Sequence, residues 1–213
     1  MFRLGDFEFL IVLGLNGQQK GHYPSVSNGN TTKVHKQSLV KHYIIKKDFI
    51  SGLKYREFSV YDPTEQQLLY RIDTTFHILH RVKITNQPEK KLLATVNGKF
   101  RFFLYGATFK ILTPGTQQWK EGKIERSFTL SYKFIITYDN RQVIFEGDRN
   151  KWHMSWTDAK THELLASFEK RMISLVWQNT YDLKIYTDEL PDIFFFVGLA
   201  VADRSTSNKD SKG

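Results

Sequence analysis

From Ile193 to Ala202 the chain carries ten consecutive residues with no polar side chain, Ile-Phe-Phe-Phe-Val-Gly-Leu-Ala-Val-Ala. A helix built from them has no face that could meet water, so it is stable only when protein or lipid surrounds it. At ~1.5 Å per residue the run covers about half of the ~30 Å hydrocarbon layer of a bilayer, which favours a sheath of protein over a membrane anchor. A buried strand is the weaker alternative, because Gly198, Ala200 and Ala202 recur at small-residue spacing. Asp188 as N-cap, Pro191 in the first turn and Arg204 near the end add helix punctuation. The pattern predicts a helix over about 189–204, with Ile193, Phe194, Phe195, Phe196, Val197, Leu199 and Val201 as its filling.

Upstream, apolar and polar residues alternate in short runs separated by turn signals, as in a meandering antiparallel β protein. Phe58, Val60, Leu69 and Ile72 fall on two arms around the turn Asp62-Pro63-Thr64-Glu65, and Phe134 to Phe145 repeats the arrangement with Tyr138-Asp139 in the place of Tyr61-Asp62. Residues Lys83–Ile111 can also be laid without a gap on Ser155–Leu183 at an offset of 72, matching Leu92-Leu93-Ala94 with Leu164-Leu165-Ala166. Two similar antiparallel halves of this size are too large for blades or solenoid units and would close into one barrel, which leaves no exposed strand edge. A barrel with an apolar helix after it suggests that the helix fills the barrel.

Residues 1–36 read differently: Phe7–Leu15 is a strand-like apolar segment, and Asn16 to Lys36 is a polar linker with almost no large apolar residue. The domain is expected over 37–204, and 205–213 as a polar, frayed tail. With 17 Phe, 10 Tyr and 4 Trp the chain is no disordered segment, and with no Cys it has no disulfide, thiolate metal site or thiol nucleophile. The lack of Cys fits a reducing compartment, so the expectation is an intracellular, cytoplasmic protein, with peripheral membrane association under the lipid reading below. The net charge of +9 is uneven: residues 1–106 hold 16 Lys/Arg against 8 Asp/Glu, and 107–213 hold 15 against 14. Such an asymmetry points either to an anionic partner or to a solvated basic face.

The blocks Tyr43-Ile44-Ile45-Lys46-Lys47, Phe58-Ser59-Val60-Tyr61-Asp62, Leu69-Tyr70-Arg71-Ile72, Leu92-Leu93-Ala94-Thr95-Val96 and Tyr181-Asp182-Leu183-Lys184-Ile185-Tyr186, with the apolar helix ending at Asp203-Arg204, resemble the LURP-one-related family. That family is a branch of the tubby C-terminal-like fold that also includes the phospholipid scramblases. The resemblance spans roughly Lys41 to Arg204 and implies a mainly β, closed antiparallel barrel of about twelve strands around a buried C-terminal helix. It implies no single activity, since the superfamily holds phosphoinositide binders, proteins assigned to lipid scrambling and many others. Asp182 and Asp188 lie where scramblases carry an acidic calcium-associated segment, but Asn179-Thr180-Tyr181-Asp182 lacks its closely spaced acidic pair. Two dispersed carboxylates fall short of the six to eight oxygens that calcium takes.

Motifs for catalysis are missing: there is no Gly-x-Ser-x-Gly elbow and no phosphate loop, and His77 and His80, three apart, would point to opposite faces of a strand. The reading is therefore a non-enzymatic module with no metal and no cofactor. Lys46, Lys47, Lys83, Lys90, Lys91, Lys99 and Arg101 are the candidate anion- and lipid-binding residues, for an anionic phospholipid surface. The alternatives are a protein-interaction scaffold whose Trp119 anchors a partner, and a scramblase-related lipid-handling protein. Nucleic-acid binding ranks below these, favoured by charge alone and supported by no recognition motif.

Overall fold

Period-two alternation writes the barrel wall strand by strand. In the computed structural model, which describes residues 38–48, 57–76, 80–101, 104–127, 132–147, 153–171 and 179–207, β8 (Tyr132–Tyr138) alternates buried and half-buried residues without a break. Twelve strands are found among the described residues: β1 (Lys41–Asp48), β2 (Glu57–Tyr61), β3 (Leu68–Phe76), β4 (His80–Asn86), β5 (Leu92–Arg101), β6 (Leu104–Leu112), β7 (Trp119–Arg126), β8, β9 (Arg141–Gly147), β10 (His153–Asp158), β11 (Leu164–Lys170) and β12 (Asn179–Ile185). Each pairs antiparallel with its sequence neighbours, and β1 pairs with β12 from Lys41↔Ile185 to Lys47↔Asn179, so the sheet closes. Closure removes the exposed edges that an open sheet of this size would present.

The barrel is filled by α1 (Asp192–Ser207). Successive helical residues point about 100° apart, and three consecutive phenylalanines reach three different walls. Phe194 meets Phe109 and Tyr138, Phe195 meets Trp156, and Phe196 meets Tyr43 and Tyr70, at ring-centroid distances of 5.2–6.4 Å. Phe194, Phe195, Phe196, Val197 and Val201 are wholly buried, with Ile193 and Leu199 nearly so. Burying a Phe is worth about 1.5–3 kcal/mol, so these three rings together rival the net stability of a domain. Gly198 is where helix and wall come closest: a Cβ there would stand 2.8 Å from Trp156 Nε1. Gly122 does the same for the wall, leaving room for the Phe109 ring, which a Cβ would overlap.

The helix differs from expectation at both ends. Asp188 is not its N-cap; it lies exposed in a bend, Thr187 Oγ1 accepts from the Glu189 N–H, and the helix begins only after Pro191, whose carbonyl accepts from Phe194. Asp192, in the first turn, carries the acidic charge that suits a helix N-terminus. At the other end Ser205–Ser207 continue the helix instead of opening the tail. The segment expected over 1–36, and residues 208–213, lie outside the described residues.

The repeat has a physical counterpart. The β4–β5 pair shifts register at Ile84/Thr85 and the β10–β11 pair at Trp156/Thr157, an offset of 72. The turns that follow are built alike: Asn86 N–H donates to Lys91 O and Asp158 N–H to Glu163 O, while Lys90 and His162 take the left-handed conformation at φ 56° and 60°. Bulges and turns set strand twist and register, so keeping them in both halves keeps the halves superposable.

Candidate functional site

On β3, Ile72 and Thr74 are buried, which turns Arg71 and Asp73 outward; on β4, Val82 and Ile84 are buried, which turns Arg81, Lys83 and Thr85 outward. The register then sets Arg71 opposite Thr85 and Asp73 opposite Lys83. Beyond β4 the turn is held by Asn86, whose Oδ1 accepts from the Lys91 N–H at 2.8 Å, and Gln87 N–H donates to Leu69 O. The left-handed Lys90 sits in that turn. Leu68, Arg71, Asp73, Thr85, Gln87 and Lys90 line an open concavity of about 390 Å³ on the outer wall.

Two cations, Arg71 and Lys90, line it against the carboxylate of Asp73, and Lys83 stands opposite Asp73 on the outward face of β4. Arg71 is oriented from behind, its Nη1 donating to the buried Ser59 Oγ at 2.8 Å. Lys83 and Lys90 are exposed and, with Arg81 one position further along β4, have no ion-pair partner among the described residues. Thr85 and Gln87 add a hydroxyl and an amide. A guanidinium fork, an ammonium group in the hollow with a second beside it, and neutral donors make an arrangement that can hold an anionic group.

The remaining sequence candidates are placed elsewhere. Lys46 opposes Ser59, which in turn opposes Arg71, so it stands two strands from the groove, or about 10 Å at the usual strand spacing. Its ammonium is engaged by Glu65 at 2.9 Å and lies over the Tyr61 ring. Lys47 shares the inward face of Phe58, with its ammonium 5.6 Å from that ring centre. Lys91 reaches Gln117 Oε1 across to the β6–β7 turn. Lys99 and Arg101 belong to β5, but their side chains lie outside the described residues, as does His77. Trp119 opens β7 with 43% of its surface exposed. Arg71 was not singled out by charge clustering, although its outward position was readable from the alternation around Tyr70 and Ile72.

A second polar assembly covers the outside of β1 and β12. Arg171 donates to Asp182 Oδ2 at 2.8 Å and Oδ1 at 3.0 Å and also to Glu65, while His42 Nε2 lies 2.7 Å from Asp182 Oδ1. Burial pushes the Asp182 carboxyl up, and the hydrogen bonds from Arg171 and His42 outweigh it, holding the group below the ordinary range. Glu65 is held low first by Lys46 and then by Arg171. With its charges paired, this assembly ties the β2–β3 turn to the barrel wall. Among the described residues no group of three or more His, Asp or Glu is placed to hold a metal ion.

A family model described as LURP-one-related matches residues 40–202, the whole barrel and most of its helix. The chain belongs to the LURP-one-related family. Comparison with curated proteins and with solved structures gave no match. The family match fits the closed barrel around a single C-terminal helix, the architecture that the resemblance implies. Asp182, one of the two carboxylates weighed above for calcium, is committed to Arg171 and His42 in this LURP-one-related chain.

Proposed function

We propose that this LURP-one-related barrel is a non-enzymatic module that binds anionic phospholipid headgroups, phosphoinositides foremost, through the β3–β4 groove while resting on a membrane surface. The observation that carries the reading is the hollow lined by Arg71 and Lys90, with Lys83 and Arg81 on the adjoining outward face of β4. Asp73 would accept from an inositol hydroxyl as the cations engage its phosphates. Each cation near an anionic leaflet contributes about 1 kcal/mol, so Arg81, Lys83 and Lys90 give roughly 3 kcal/mol, or about a hundredfold in partitioning at low salt. Among the described residues no helix is long and apolar enough to cross a membrane, so attachment through the groove needs no spanning helix.

The test is sedimentation with liposomes that contain or lack phosphatidylinositol phosphates, at low and high salt. The wild type should pellet with the anionic liposomes, salt-sensitively, and the Lys83→Glu/Lys90→Glu variant should lose that gain. Equal sedimentation of the two proteins, or no gain with the anionic lipid, would sink the proposal.

A further inference from the structure

Among the described residues the large hydrophobics found exposed are Leu39, Val40 and Trp119, and they lie at the end of the barrel where α1 enters. Val40 N–H donates to Ile185 O beside the strand that leads into the helix, and Trp119 stands opposite Leu112 in the β6–β7 ladder. Between them is a cavity of about 220 Å³ lined by Tyr70, Leu93, Leu112, Pro114, Leu190 and Ile193 among others. Lys41 and Leu112, which also border it, are the neighbours of Val40 and Trp119, so the exposed hydrophobics extend its rim.

Three charged residues line this mouth, Lys41, Asp188 and Asp192. Lys41 Nζ is bound to both oxygens of Asp192, at 2.7 and 3.0 Å, and the Tyr43 hydroxyl donates to the same carboxylate. Asp188 is exposed and has no partner among the described residues. The uncompensated charge of the mouth is therefore negative, opposite in sign to that of the groove, and an anionic leaflet suits it poorly. The cavity lies below the ~300–1,000 Å³ of sites that enclose a drug-sized ligand, yet exceeds the ~150 Å³ that admits a benzene ring. It has room for one large side chain.

We propose that the mouth is a peptide-docking site: one large apolar side chain of a partner enters the slot, Trp119 packs over it, and a Lys or Arg beside it in the peptide pairs with Asp188. Its lining shares no residue with the groove between β3 and β4. Aromatic anchors in desolvated pockets, rimmed by complementary charge, are the usual centre of such interfaces.

The test pans a phage-displayed library of random dodecapeptides against the full chain, with the Trp119→Ala and Asp188→Lys variants in parallel, each first shown to melt like the wild type. Expected is enrichment, on the wild type, of sequences with Leu, Phe, Met or Trp next to Lys or Arg. Synthetic copies should lose about tenfold or more in affinity with Trp119→Ala and several-fold with Asp188→Lys. No enrichment over Trp119→Ala, or enrichment of acidic or purely polar sequences, overturns the proposal. So does loss of phosphoinositide-liposome binding in Trp119→Ala, which would make the mouth a membrane surface. The Lys83→Glu/Lys90→Glu variant should keep full peptide affinity, so failure of the lipid reading leaves this result standing.

Discussion

Replacing Phe195 with Ala tests whether the barrel depends on its central helix. The ring is wholly buried, lies edge-on to Trp156 at 5.7 Å and 85°, and lies edge-on to Phe194 at 5.4 Å and 89°. Trp156 is stacked in turn on Phe145 at 4.3 Å, so the wall cannot fold inward to fill the gap without breaking a second ring pair. Phe→Ala at a site that resists collapse costs about 3–5 kcal/mol, the lost transfer energy plus the cavity. Against a total of ~5–15 kcal/mol that is roughly a fifth or more of the stability, and in a domain of this size it lowers Tm by roughly 6–20 °C. Thermal melting followed by circular dichroism, repeated by urea titration, reads the loss. The exposed turn substitution Thr116→Ala is the control and should move Tm by less than ~2 °C. Phe195→Asp should leave no cooperative melt, because a carboxylate would be buried without a partner. If Phe195→Ala melts within ~2 °C of wild type, or Phe195→Asp stays folded, the helix is not the core of the barrel and the stability argument fails.

The Asp158 carboxyl accepts from the Thr161 and Lys160 N–H groups and from Arg141 Nε, and these bonds, the Thr161 one foremost, hold its pKa down at about 2 against an ordinary 3.8. A depressed pKa means stability present above about pH 4 and lost as pH falls through about 2, so wild type and Asp158→Asn should differ at neutral pH and converge by pH 2 in urea titrations. Gly198→Ala should destabilise by about 1–3 kcal/mol in spite of a better helix propensity, because its methyl meets the Trp156 indole; an unchanged Tm and tryptophan emission would contradict this. Arg171→Ala should cost about 1–3 kcal/mol, and much less when combined with Asp182→Ala, in a double-mutant cycle read by urea denaturation.

Features encoded by local pattern were legible before any coordinates. Ile193 to Ala202 had no polar face and so had to be surrounded, and the offset of 72 that aligned Leu92-Leu93-Ala94 with Leu164-Leu165-Ala166 carries the bulge and the turn with it. What local pattern does not encode is which distant group a charge will meet. Asp188 has the chemistry of an N-cap, yet the helix starts at Asp192, whose carboxylate is claimed by Lys41 and Tyr43 from the far end of the sequence. Lys46 and Lys47 are adjacent, and the pleat sends one outward to Glu65 and the other inward over Phe58. Of the basic residues chosen by sequence, Lys90 lines the groove from its left-handed turn position, and strand register sets Lys83 beside it, opposite Asp73.

The two halves also explain why the described groove lies at the β4–β5 turn and not at the equivalent β10–β11 turn. At the position equivalent to Asn86 the second half has Asp158, and both side chains cap the same six-residue turn by accepting from N–H groups within it. A neutral cap leaves the first turn with no demand for a cation, so Lys90 at its left-handed position has its charge unmatched. An acidic cap draws Arg141 onto Asp158, and Arg141 is further bound by Glu189 in the lead-in to the helix. The second turn spends its arginine on locking helix to wall, while the first keeps its basic side chains facing solvent. The same scaffold thus holds a structural ion pair in one half and an open hollow lined by Arg71 and Lys90 in the other. Exchanging the caps separates the two roles: Asn86→Asp should draw a groove cation inward and weaken anionic-liposome binding several-fold at unchanged or higher Tm. If binding is undiminished in liposome sedimentation, the cap does not control the charge of the groove.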